Sequence, residues 1–132
     1  MSSASATPNR YPYQNEPTWS KSEKAIARTA FDAALKRELH QVMEEAKQKA
    51  NQINQPGDLW DLEHYLTERR KDIDEKYEFR SSRLTQLFGR LLCERGVTEN
   101  ELGGFGEGKL KAIRSCAKVL SEDAAQAWDF ER

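Results

Sequence analysis

The feature that most constrains this chain is a narrow apolar seam that runs from Ser20 to Asn54 without a proline or a glycine. Its members recur at three- and four-residue steps while Lys, Glu, Gln and Arg fill the other faces, a pattern typical of a coiled-coil-like helix. Such a helix of about 34 residues spans roughly 50 Å. A rod of this length cannot bury its seam alone, so the pattern favours a homodimer. The seam consists of Phe31, Leu35, Leu39, Val42, Ala46 and Ile53.

A second long helix is predicted after the turn at Pro56-Gly57, with Asp58 as its N-cap. Its apolar stripe continues to Gly96, a candidate C′ residue, and predicts a helix over about 58–95 that runs antiparallel to the first. Ser81-Ser82 is its weakest stretch, because serine side chains compete for backbone hydrogen bonds, and a break there is left open. The stripe comprises Leu59, Leu62, Leu66, Ile73, Tyr77, Leu84, Leu87 and Leu91.

Local signals at the ends of the chain complete the predicted domain. Ser20 with Glu23, and Thr98 with Glu101, have the spacing of capping boxes. Helices are therefore predicted over about 20–54 and 98–103, and the apolar spacing adds one over 107–120. We predict an all-α fold: a disordered arm over 1–17, one helical domain over 18–121 and a flexible tail over 122–132. In this fold a long antiparallel helical pair forms a homodimeric stalk with a small C-terminal helical head.

Composition argues against several classes of function. The 132 residues carry 21 basic and 22 acidic side chains, so the net charge of −1 gives no general attraction to nucleic acids or membranes. No apolar run approaches a membrane span and the N-terminus lacks a signal-peptide core, so we expect a cytoplasmic protein. Cys93 and Cys116 have neither a disulfide framework nor a zinc spacing.

No pattern of catalytic residues is apparent either. His40 and His64 lack a supporting carboxylate pattern, and the glycines between Gly103 and Gly108 follow no predicted strand and lack the Gly-Lys-Ser/Thr ending. We therefore expect no enzyme, no cofactor and no metal. The basic residues Lys109, Lys111, Arg114 and Lys118 could meet an acidic partner or nucleic acid, but a solvated helix face is the favoured interpretation.

Trp60 is the most informative single residue. At about 100° per residue it lies opposite the leucine stripe of its own helix, beside Glu63 and His64. A large aromatic side chain surrounded by charges is typical of a protein-binding hot spot. The alternative is that Trp60 folds over the Pro56-Gly57 turn and covers the end of the helix.

The second helix also carries the motif Asp58-Leu59-Trp60-x-Leu62, Tyr65-Leu66, Arg70 and Asp72-Ile73-Asp74-x-Lys76-Tyr77-x-x-Arg80. This motif resembles the signature of the fluorescence recovery protein family. The resemblance extends more weakly from Trp19 to Leu120. It implies an all-helical homodimer that binds the orange carotenoid protein, or relatives of its C-terminal domain, and hastens the return of its red form to the orange form. Quenching at the phycobilisome, a form of non-photochemical quenching used in photoprotection, then ends.

The resemblance also assigns site residues. Glu63-His64 stands where the family has a His-Asp pair, with the order swapped. An alternative stays open: a helical dimeric scaffold or chaperone-like protein with an unrelated client, in a host without phycobilisomes. The expected partner-binding residues are Trp60, Asp61, Glu63, His64 and Arg70, the expected head contacts are Phe88, Lys109 and Lys111, and the expected dimer or core seam is Phe31, Leu35, Val42, Leu62, Leu66, Ile73 and Tyr77.

Overall fold

The computed structural model describes the backbone of residues 18–131 and the side chains of residues 18–124. This part of the chain is helical and contains no strand, which confirms the all-α prediction there. The predicted N-terminal arm, 1–17, lies outside the described residues. The α-helices are α1 (Lys21–Asn51), α2 (Pro56–Lys76), α3 (Leu84–Cys93) and α4 (Glu107–Glu131), with 3-10 turns at Ser81–Arg83 and Asn100–Leu102.

The starts of α1 and α2 follow from local hydrogen bonds. The Glu23 amide donates to Ser20 Oγ at 3.1 Å and the Ser20 amide donates to Glu23 Oε1 at 3.0 Å, so the predicted capping box is confirmed. The prediction of Asp58 as the N-cap of α2 is wrong. Gln55 is the N-cap, and Asp58 Oδ2 accepts from the amides of Asn54 and Gln55 at 3.0 and 3.2 Å. The helix starts earlier because Pro56 fits the first helical position, where no N–H is needed.

α1 and α2 form an antiparallel hairpin. We call the C-terminal half of α1 together with the whole of α2 the stalk. Tyr65 donates a short hydrogen bond to Glu45, and Arg69 contacts Glu38 at 2.8 Å. Further along, the Tyr77 ring meets Phe31 edge to face, with centroids 5.4 Å apart. Residue numbers on α2 therefore increase as those of their partners on α1 decrease, as the predicted antiparallel pair requires.

The helix predicted over 58–95 is broken, the alternative left open at Ser81-Ser82: α2 ends at Lys76, and residues 77–80, just before the two serines, are not helical. This segment, Tyr-Glu-Phe-Arg, contains neither proline nor glycine, so tertiary contacts interrupt the helix. Tyr77 and Phe79 both pack edge to face on Phe31, and the Arg28 guanidinium lies 4.9 Å from the Phe79 ring centroid. Burial of two aromatic rings and a cation–π contact together offset the helical hydrogen bonds that are lost.

The main core lies in the head, where α3, α4 and the connecting turns pack on the N-terminal half of α1. The head was predicted to be C-terminal, but α1 also contributes to it. Four of its thirteen core residues lie on α1: Ala27, Ala30, Phe31 and Ala34. Gly89 lets α3 approach α4, since a Cβ there would lie 2.6 Å from Cys116 Cβ. The core contains Trp19, Ala27, Ala30, Phe31, Ala34, Leu84, Leu87, Phe88, Leu91, Val97, Leu102, Phe105 and Ile113.

Helix ends in the head differ from the prediction in three respects. Arg95, rather than Gly96, has left-handed backbone geometry (φ 64°), and the Gly96 amide donates to the Leu91 carbonyl at 2.7 Å as in a Schellman motif. The predicted helix over 98–103 is reduced to the 3-10 turn, although the Thr98–Glu101 capping bonds are present. α4 continues to Glu131, whereas the prediction ended this helix at residue 120.

Candidate protein-interaction surface

Trp60 lies in the second turn of α2 and is 64% exposed. Most of the side chain is therefore in solvent, which disfavours the alternative that it is covered at the helix start. An indole of this size that is left in solvent offers apolar area without disturbing the packing of the helix. The exposure makes Trp60 available to a partner.

Charged side chains surround Trp60 along about 15 Å of helix, and we call Trp60, Asp61, Glu63, His64 and Arg70 the Trp60 patch. Each of these residues is exposed. Glu63 accepts a hydrogen bond from Thr67 at 2.9 Å, and the Arg70 side chain, 86% exposed, has only a 3.8 Å contact with Asp74. Glu63 and Arg70 are seven residues apart and share a face, so both signs of charge are presented next to the indole.

Both helices of the stalk also carry exposed apolar side chains. Leu39 and Met43 on α1 are 44% and 54% exposed, and Leu59 and Leu66 on α2 are 46% and 41% exposed. Leu66 lies within one helical turn of both Glu63 and Arg70. The residues of the predicted seam differ in exposure. Phe31 and Ile73 are buried, Leu66 is exposed, and the others are half-buried: Leu35, Val42, Leu62 and Tyr77.

Polar side chains fill much of the contact between α1 and α2. The Glu38 carboxylate accepts from Arg69 Nη2 at 2.8 Å and from Tyr77 Oη at 2.8 Å, and it lies 2.8 Å from Lys76 Nζ. Burial opposes the charge of Glu38, but hydrogen bonds from Lys76, Tyr77 and Arg69 together hold its pKa below the usual value. Burial and the neighbouring Glu38 raise the pKa of Tyr77, so its hydroxyl remains a donor at neutral pH.

The apolar pattern of the sequence did not predict the junction at which Glu38 joins Lys76 and Tyr77. The signal was present in the spacing: Glu38 and Glu45 are seven residues apart on the face of α1 that also carries Phe31 and Val42. Two carboxylates at that spacing on a partly apolar face require donors from the opposing helix.

The head offers fewer contact residues than predicted. Phe88 is fully buried in the core, which corrects its assignment as a surface contact. Lys109 is also largely buried and pairs with Glu23 at 2.9 Å. Arg114 contacts Glu99 at 2.8 Å and Glu107 at 3.7 Å, so part of the basic cluster on α4 is neutralised within the chain. Lys111 remains exposed.

Among the residues with described side chains, no three His, Cys, Asp or Glu residues are placed to hold a metal ion. Within the described helices, none is long and apolar enough to cross a bilayer. His40 and His64 are exposed on different helices of the stalk.

Together these features define a class: an all-α protein in which a helical-hairpin stalk carries an exposed aromatic and charged surface beside a compact helical head. The chain belongs to the fluorescence recovery protein family, since residues 19–117 match the family model described as photoprotection regulator fluorescence recovery protein. Family members regulate photoprotection.

Relatives with known names agree with this assignment. The fluorescence recovery protein of Synechocystis sp. is 35% identical over 104 residues, which cover 79% of this chain and 95% of that protein. The solved structure of the Fremyella diplosiphon protein is 32% identical, with a TM-score of 0.74, covering 76% of this chain and 99% of that one. The Synechocystis structure is 35% identical, with the same TM-score and coverage.

Proposed function

We propose that this protein is a non-enzymatic regulator that binds the orange carotenoid protein and accelerates the reversion of its red form to the orange form. Quenching at the phycobilisome then ends. The observation that carries the proposal, beside the family membership, is the 64% exposure of Trp60 between exposed charges on a regular helix. An exposed aromatic with a charged rim is the usual composition of a binding hot spot.

The working form is proposed to be a homodimer. Contacts between α1 and α2 within one chain rely on Glu38 and Glu45, whereas Leu39, Met43 and Leu66 are left exposed on the stalk. A second copy would cover this apolar face, and each large side chain that it buries would add favourable free energy of about 1 kcal/mol or more. The same association would bring the Trp60 patch close to the dimer interface, because Leu66 lies between Glu63 and Arg70.

A second candidate is a helical dimeric scaffold with an unrelated client. Two observations favour it: Glu63-His64 replaces the His-Asp order that the resemblance leads one to expect, and Phe88 is buried within the head. A contact surface with a different order of charges and one aromatic fewer would recognise a different surface.

The test mixes the purified protein with photoactivated orange carotenoid protein and follows the red-to-orange absorbance change in darkness. We expect acceleration at a stoichiometric amount of dimer. The spontaneous rate, measured without the protein, is the control. An unchanged rate would remove the carotenoid-protein proposal, and recovery of a different major binder in a pull-down would then support the scaffold.

A further inference from the structure

α2, which carries the whole Trp60 patch, is held to the rest of the chain by few apolar contacts. Ile73 is the buried residue of this helix. At its start, α2 is joined to α1 through residues 52–55. Midway along, Tyr65 donates a hydrogen bond to Glu45 of α1, and at the end of α2 polar contacts converge on the Glu38 carboxylate. The orientation of the patch therefore depends on a small number of attachments.

Glu38 is the centre of those attachments. Its carboxylate is 14% exposed and receives three donors from the last two turns of α2 and the residue after it: Arg69, Lys76 and Tyr77. We call these four residues the Glu38 clamp. Lys76, whose side chain is 6% exposed, also contacts Glu94 after α3 at 2.8 Å. The clamp thus ties the end of α2 to α1 and to the head at once.

The clamp controls rotation of α2 about its own axis. Arg69 and Lys76 are seven residues apart and lie on one stripe, so two bonds to the same carboxylate fix which face of the helix meets α1. A helix with side chains has a radius of about 5 to 6 Å, so a roll of about 20° moves the side-chain ends by roughly 2 Å. A binding site tolerates less than this, since its geometry must hold within about 0.5 Å and 10–20°.

We infer that Glu38 is a positioning residue for the Trp60 patch: through Arg69, Lys76 and Tyr77 it fixes the roll of α2 and presents the patch to the partner in one orientation. It does not itself touch the partner. The inference rests on the proposed function for its activity readout, but the clamp can also be tested without any partner.

The first experiment compares Glu38→Gln with Glu44→Gln. Both substitutions remove one negative charge from α1, but Glu44 is exposed and pairs only with Lys47, at 3.5 Å. We expect Glu38→Gln to raise the concentration of dimer for half-maximal acceleration of the red-to-orange reversion by about tenfold, and Glu44→Gln to leave it unchanged. Equal effects of the two variants would overturn the inference. If Glu38→Gln fails to fold, Lys76→Met replaces it.

A double-mutant cycle with Trp60→Ala separates positioning from general loss of stability. If Glu38 acts through the patch, Glu38→Gln should change the half-maximal concentration by less than about twofold once Trp60 is absent. A full tenfold effect in the Trp60→Ala background would show that Glu38 acts elsewhere and would overturn the inference.

A partner-free measurement distinguishes failure of this inference from failure of the proposed function. Amide hydrogen exchange over residues 69–77 should be at least about tenfold faster in Glu38→Gln than in Glu44→Gln, because a charge-assisted junction is lost. Unchanged exchange overturns the clamp even if the wild type accelerates reversion. Faster exchange in a protein that has no effect on the carotenoid protein supports the clamp and refutes the proposed function alone.

Discussion

The substitution Trp60→Ala should weaken partner binding more than it destabilises the fold. The exposure of the side chain allows both effects to be estimated. An indole buries about 150–250 Å² when fully covered, and about two thirds of Trp60 is free, so a partner can remove roughly 100–160 Å² from water. At about 25 cal/mol per Å² this is worth about 2.5–4 kcal/mol. Ordering costs reduce the gain, so we expect Trp60→Ala to weaken partner binding by at least about tenfold.

The effect of Trp60→Ala on the fold is much smaller. The covered third of the ring contributes about 2 kcal/mol at most, and alanine recovers about 0.5 kcal/mol through its higher helix propensity. Unfolding in urea and dimer mass by light scattering should therefore change little, while the dissociation constant from a titration with the partner rises. Val119→Ala, at a position 56% exposed on α4, is the matched control. Unchanged affinity of Trp60→Ala would refute the hot-spot reasoning, and loss of folding would show that Trp60 stabilises the helix start.

Three further predictions concern the dimer, the pH dependence and a helix end. Met43→Glu should convert the dimer to a monomer in light scattering at micromolar concentration, whereas the exposed control Gln48→Glu should not; a dimeric Met43→Glu would place the interface elsewhere. Hydrogen bonds from the amides of Ser20 and Gly106 and from Lys109 lower the pKa of Glu23 from 4.5 to about 2, so its contribution to stability is present above about pH 4.5 and is lost as the pH falls toward 2. The urea midpoint of Glu23→Gln should therefore vary less with pH between 5 and 2 than that of the wild type, and parallel curves would contradict this. Arg95→Gly should raise the free energy of unfolding by about 1 kcal/mol, because glycine adopts the left-handed geometry without strain, while Arg95→Ala should give no such gain; equal stabilities of the two variants would contradict the strain.

Features fixed by local chemistry could be predicted from the sequence. The capping box at Ser20 depends on residues three positions apart, and the amphipathic spacing of α1 and α2 depends on the helix repeat alone. The exposure of Trp60 follows from the same repeat, because a residue opposite the leucine stripe has no neighbour to cover it. The family signature lies on α2, the same helix.

Features fixed by distant contacts could not be predicted in this way. The break at residues 77–80 depends on Phe31, more than 40 positions earlier, which receives the rings of Tyr77 and Phe79. Phe88 was expected to be a head contact from the family resemblance, but it is buried in the core together with Phe105 and Leu102, which come from a segment without strong periodicity. Arg95 takes the left-handed position of the Schellman motif, and the next carbonyl, that of Gly96, accepts a hydrogen bond from Arg37 at 2.8 Å across 59 residues.

The seam of α1 shows why a correct pattern can still be assigned to the wrong contact. Periodicity combines all apolar residues at three- and four-residue steps into one seam, and it therefore assigned Leu35 and Leu39 to the same surface. In the structure, Glu38 and Glu45 meet α2 on one face, while Leu39 and Met43 are exposed on the neighbouring face. The first face suits contacts within the chain, because charged pairs fix orientation. The second face suits contact between chains, because exposed apolar side chains gain most from a partner. A dimer that used Leu39 and Met43 would leave the Glu38 clamp intact, so association and orientation of the Trp60 patch can be perturbed one at a time.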